Sequence, residues 1–174
     1  INSLTYASPN YFIGLPAHMD NNSFMKLKGM TSQDEKYLTF ASLFIDGNYF
    51  LFKNEMYPLF KTFNIITVFH KKAKFDNINF KIDRNFAVGV NAWINDINVI
   101  DDIKKYIIEN NVKNTLFLVA AGPLSNILIH ELYIFEKDNI YLDIGSVLDD
   151  IVGLGQTRHF LRGHECLTHI HKWR

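Results

Sequence analysis

Cysteine is almost missing. Cys166 stands alone among 174 residues, so no internal disulfide and no Cys-based zinc cluster can form. That usage suits a reducing compartment, and a cytoplasmic location is expected. Net charge is missing too. Eighteen Lys and Arg balance eighteen Asp and Glu, and without a basic excess nucleic acid is not an expected partner. No apolar run approaches the roughly 18 residues that mark a membrane helix, so no transmembrane segment is expected. Proline is sparse and scattered (Pro9, Pro16, Pro58, Pro123), and no linker, repeat or low-complexity stretch divides the chain. A Gly-x-Gly-x-x-Gly dinucleotide fingerprint is absent as well. The first residue is Ile1 and not Met, so a trimmed or processed chain, or a piece of a longer protein, is expected.

Apolar residues are plentiful at 48%, with 14% aromatic, enough to fill one core at this length. The N-terminal part, 1–36, reads as irregular, with a short buried strand at Tyr11–Gly14 and a turn at Asp20-Asn21-Asn22-Ser23. Leu38–Ile45 reads as a buried strand ended by Asp46-Gly47, and Tyr49–Phe60 as a helix that Pro58 interrupts. Asn64–Phe69 is a β-branched strand, Phe75–Ile82 alternates like an edge strand, and Phe86–Val90 is another short strand. The basic run His70-Lys71-Lys72-Ala73-Lys74 reads as a solvated strand end.

Val99–Asn111 has the stripe of an amphipathic helix, with Asp96 or Asn98 as its cap and Asp101 and Asp102 in its first turn. Thr115–Ala120 is apolar throughout, the pattern of a strand covered on both faces. A Gly122-Pro123 turn, a helix over Leu124–Ile134 and a strand over Ile140–Ile144 complete a βαβ unit. The expected fold class is therefore α/β, Rossmann-like, with a mostly parallel sheet flanked by helices.

The chemistry-bearing residues gather near that unit. Gly122 lets a ligand approach the backbone, Pro123 suits a first helical turn, and the free N–H groups of the helix start favour a phosphate. Ser125 adds a hydroxyl. A plain tight βα turn would look the same. Asp143 closes a strand and is followed by Gly145 and Ser146. With Asp149 it forms a candidate pair for a Mn or Mg ion bridging phosphates, which needs only one or two carboxylates. The plain alternative is a cap at Asp143 and a solvated turn at Asp149-Asp150. Arg158, after Gly153 and Gly155, is either a phosphate clamp or an ordinary surface residue. His18 and Asp20 sit in an N-terminal loop and, with Asp150, are candidates for the base an acceptor hydroxyl needs. His159, His164, His169 and His171 cluster near the end of the chain, where a metal or a merely His-rich tail both fit.

With these residues set out, the C-terminal half resembles GT-D-type glycosyltransferases, bacterial sugar-nucleotide enzymes with a modified Rossmann core. The match runs through Leu116–Ala121, Gly122-Pro123, the helix to Leu132 and Asp143-Ile144-Gly145, about a fifth of the chain. The stretch Ser146-Val147-Leu148-Asp149-Asp150 departs from the family in its acidic spacing and in lacking Glu. The resemblance implies one glycosyltransferase domain over 1–174 that moves a sugar from a nucleotide-sugar donor to a glycan or other hydroxyl acceptor. It implies nucleotide contacts at Gly122, Pro123, Ser125, Gly145, Ser146 and Arg158. Asp143, Asp150, His18 and Asp20 would be the catalytic candidates, with a divalent cation at Asp143 and Asp149. A Rossmann-type methyltransferase and a non-catalytic nucleotide- or glycan-binding module are the competing expectations.

Overall fold

The computed structural model describes residues 2–16 and 20–162. Its centre is a four-stranded, fully parallel sheet of order β4-β3-β5-β6, formed by β3 (Asn64–His70), β4 (Arg84–Val88), β5 (Thr115–Val119) and β6 (Ile140–Asp143). A smaller parallel pair joins β1 (Ile13–Leu15) to β2 (Leu38–Phe40). The architecture is α/β with a Rossmann-like core, as the alternating strand and helix patterns predict.

Residue alternation explains why β3 and β5 hold the centre. In β3, Ile65 and Phe69 face one core while Ile66 and Val68 face the other. In β5, Leu116 and Leu118 oppose Phe117 and Val119 in the same way. Every residue of β5 is buried, so its apolar run satisfies two layers at once. One layer is α5 (Val99–Glu109) and α6 (Pro123–Phe135), which bury Ile100, Ile103, Ile107, Leu124, Leu128 and Leu132 against it. The opposite layer is less regular. It is built by the aromatic segment around Phe52 and Phe60, by Phe80, and by the returning chain at Ile144, Leu148 and Phe160.

Several sequence expectations are corrected here. The stretch predicted as one strand over Leu38–Ile45 pairs only through Phe40. After one last bond to β1, from the Ala41 N–H to the Leu15 carbonyl at 2.8 Å, the backbone satisfies itself in turns, Leu43 N–H to Phe40 and Ile45 N–H to Ser42, with the Asn48 amide also donating to the Ser42 carbonyl. Phe75–Ile82 is not a strand. Its alternation records one-sided burial of Phe80 and its apolar neighbours, while β4 takes the ladder beside β3.

The Tyr49–Phe60 helix changes pitch twice. It starts as α3 (Tyr49–Leu51), widens over Phe52–Met56 so that Tyr57 N–H reaches the Phe52 carbonyl, then tightens over Tyr57–Thr62. Pro58 supplies the reason, since its ring cannot continue an α-helical ladder.

The N-terminal part is also more ordered than expected. A short α1 (Asn2–Thr5) is followed, after β1, by a ten-residue α2 (Asn21–Met30). What read as a turn at Asp20–Ser23 is the start of that helix. No helix among the described residues is long and apolar enough to cross a membrane.

Candidate functional site

The strand order places a reversal at the centre of the sheet. From β3 the chain moves to β4 on one side, then returns across β3 to β5 and β6 on the other. In open α/β sheets, the crevice outside the carboxyl ends of the strands at such a reversal is where ligands bind. Here those ends are His70 after β3 and Ala120-Ala121-Gly122 after β5, and a cavity of about 380 Å³ lies between them. His70, Gly89, Asn91, Trp93, Gly122 and Pro123 line it. A larger, more open hollow of about 510 Å³ lies at the opposite, amino edge of β4, around Phe75, Arg84 and Asn85. We assign the site to the smaller one because it alone sits on the ligand edge.

Gly122 shapes the floor. Its φ of 58° and ψ of −137° belong to a region that side chains avoid, and Pro123 follows as the first residue of α6. No side chain caps this thirteen-residue helix. Pro123 has no N–H and the Ser125 N–H bonds the Gly122 carbonyl at 2.9 Å, so what the helix start turns toward the crevice is chiefly the partial positive charge of its dipole.

Ser125 plays a different part from the one expected. It is fully buried. Its Oγ accepts the Ala121 N–H at 3.1 Å, and the hydroxyl lowers the pKa of the neighbouring Asp143 carboxyl. The hydroxyl thus braces the turn from beneath instead of meeting a phosphate.

Asp143 ends β6 beside Val119, as the βαβ reading requires. It retains solvent contact, yet the surrounding protein desolvates the carboxyl and raises its pKa. The Gly145 N–H and the Ser125 hydroxyl pull the other way. The Gly145 N–H donates to Oδ1 at 3.0 Å, so Asp143 also closes an Asx turn into the αL-region glycine at φ 50°. Ser146 follows in that turn, its carbonyl accepting the Asp149 N–H at 3.1 Å.

Asp149 is half-buried, and burial raises its pKa. The Thr157 hydroxyl, Arg158 and His70 lower it, while Asp150 raises it further. Thr157 Oγ1 donates to Asp149 Oδ2, pinning the Gly153–Arg158 loop to this edge. Arg158 is therefore an exposed neighbour of Asp149. Asp150 turns inward, where Oδ1 accepts the Ile151 N–H at 2.9 Å and Oδ2 the Tyr49 hydroxyl at 3.4 Å. Burial, then the Asp150 charge, pushes the Tyr49 phenol up to about 12.

The chain's own donors do not make a closed divalent-cation site. Asp143, Asp149 and Asp150 each accept hydrogen bonds from the protein, and among the described residues no three His, Cys, Asp or Glu side chains converge for one. Asp20 is not a site base. It caps α2 through the Ser23 N–H at 3.0 Å, and that bonding lowers its pKa. His18 lies outside the described residues, as do Cys166, His164, His169 and His171.

Sequence reasoning passed over the crevice's second wall. The basic run beginning at His70 is a solvated strand end, with Lys71, Lys72 and Lys74 exposed, and it leaves the central strand beside the crevice that His70 lines. The Lys72 N–H donates to His70 Nδ1 at 3.2 Å, so the neutral ring carries its proton on Nε2 and can donate there. The Lys71 ammonium lies 3.9 Å from where a Cβ on Gly89 would stand. Of the two candidate caps of α5, Asn98 takes the N-cap position without a side-chain bond, and Asp96 does not cap the helix. The Asp96 carboxylate instead accepts the Gly89 N–H at 2.9 Å and holds the loop after β4. The cue in the sequence was a His-Lys-Lys run directly after a β-branched strand. Its importance depends on that strand being central.

No family model matches the chain, and neither a curated protein nor a solved structure matches it.

Proposed function

We propose that the chain is a glycosyltransferase that takes a sugar from a nucleotide-sugar donor and passes it to a hydroxyl of a glycan or other acceptor. The observation that carries this reading is that His70 and the α6 start line one crevice at the switch point of the sheet, with the Lys71 ammonium close to Gly89 at its edge. Three independent sources of positive potential or N–H donors suit a diphosphate there. The resemblance at Gly122-Pro123 and Asp143-Ile144-Gly145 supplies the sugar-transfer part.

In the reaction, the acceptor oxygen bonds to the anomeric carbon as the bond from that carbon to the diphosphate oxygen breaks. The charge left on the diphosphate meets the helix N-terminus, Lys71 and the His70 Nε2 proton. Asp143, made more basic by desolvation, takes the acceptor's proton. The step uses side chains and backbone of the chain itself. Calorimetric titration with nucleoside diphosphates, followed by donor-hydrolysis assays with nucleotide sugars, tests the reading. Binding without turnover of any donor would leave only a nucleotide-binding module.

That module is the second reading, and a specific observation favours it. Of the carboxylates first considered as the base, Asp20 is spent on capping α2 and Asp150 on Tyr49 and its own chain.

A further inference from the structure

We propose that Trp93 is the stacking wall for the nucleobase of the ligand, an assignment that rests on reading the crevice as a nucleotide site. The loop after β4 is held firmly. The Asp96 carboxylate accepts the Gly89 N–H at 2.9 Å, the Asn95 amide donates to the Val90 carbonyl at 3.0 Å, and Ala92 is buried in the core. Asn91 turns the chain through φ 55° into α4 (Ala92–Asn95). This fixed loop nevertheless leaves Trp93 48% and Ile94 73% exposed at the crevice, with Val90 70% exposed beside them in the chain. Three large apolar side chains within five residues, presented by a braced loop, form a surface that gains from being covered.

The chemistry around the crevice selects the occupant. Its other wall, Ala120 to Pro123, is small and close to backbone, and the anion end is marked by His70, the α6 start and the Lys71 ammonium near Gly89 at the rim. A ligand that satisfies both ends carries an anionic group and a flat apolar one. A nucleoside diphosphate has that form, and a half-exposed indole suits the π-face of a base regardless of which base it is. The cavity of about 380 Å³ falls in the range of small-ligand clefts, which run from about 300 to 1,000 Å³.

The experiment compares the parent chain with Trp93→Ala and Trp93→Phe. Each is titrated calorimetrically with the four common nucleoside diphosphates and, separately, with inorganic pyrophosphate. Circular dichroism confirms that the variants are folded, which the exposed position favours. Trp93→Ala is expected to weaken the preferred nucleoside diphosphate roughly tenfold or more, with pyrophosphate unchanged, and Trp93→Phe to recover most of the loss. In a Trp173→Phe background, where Trp93 is the remaining tryptophan, the same nucleotide is expected to quench the emission. Equal nucleotide affinity in the parent and Trp93→Ala overturns the stacking assignment and leaves the nucleotide reading intact. Equal losses for nucleotide and pyrophosphate also overturn it, because the ring would then support only the anion end. A parent that binds pyrophosphate but no nucleotide better than pyrophosphate, or neither ligand, overturns both readings.

Discussion

The buried hydroxyl of Ser125 accepts the Ala121 N–H at 3.1 Å and, from beneath the same turn, lowers the pKa of Asp143. The turn after β5 is therefore braced by one side chain at the base of α6, while the end of β6 is held by the Gly145 N–H on Asp143. Ser125→Ala is expected to cost about 1–3 kcal/mol in denaturant unfolding, since it leaves a buried N–H without its acceptor. Ser125→Thr keeps the hydroxyl but adds a methyl where no surface is exposed, so it is expected to lose stability by crowding.

Asp143 gives a stability prediction with a definite sign. Its folded pKa lies above the ordinary 3.8, so the proton is held more tightly in the folded chain. The charge therefore opposes folding once the pH rises through the folded pKa, and that cost is absent below about 3.8. Asp143→Asn retains an acceptor for the Gly145 N–H and removes the charge. At neutral pH it is expected to be as stable as the parent or more so, with the difference closing in acid. Urea unfolding across pH 3–7 checks this. Donor turnover is expected to fall by about 10²-fold or more, as when a general base is removed.

Gly122 is constrained by backbone conformation and not by space. A Cβ there would meet nothing within 4 Å, but φ 58° is strained for any L side chain. Gly122→Ala is expected to destabilise by about 1–3 kcal/mol. Loss of binding in Gly122→Val would thus mix strain with ligand exclusion. Lys71→Gln separates them, because it is expected to weaken nucleoside diphosphate binding and reduce its salt dependence while thermal unfolding stays unchanged.

The carboxylates predict weak metal coupling. Nucleoside diphosphate affinity is expected to agree within about twofold in manganese and in chelator, since a bridging ion would couple the two by about 5-fold or more. Calorimetry under both conditions checks this. Asp149→Ala is expected to act elsewhere, by releasing Thr157 and making the Gly153–Arg158 loop more susceptible to limited proteolysis.

Much of the core was legible in the residues because burial leaves a periodic trace. The unbroken run Thr115–Val119 could only be a strand covered twice, and the stripe Val99, Ile100, Ile103 and Ile107 could only face a sheet. The Gly122-Pro123 helix start and the adjacency of Asp143 followed from the order of one βαβ unit, which is local in sequence. Phe75–Ile82 misled because one-sided burial alternates whether or not a ladder partner exists.

By itself the sequence determined the α/β class, the double-covered central strand and the turn that opens α6, because each depends on patterns within about 30 residues. Strand order was decided only by tertiary structure. Once β3 lies between β4 and β5, the basic run from His70 and the loop carrying Trp93 face the Gly122 turn across one crevice, from positions far apart in the chain. Tertiary structure also separated the polar candidates. Buried Ser125 and part-buried Asp150 each found a partner inside the fold, where leaving a polar group unpaired is costly, and exposed Asp20 was taken by the start of α2.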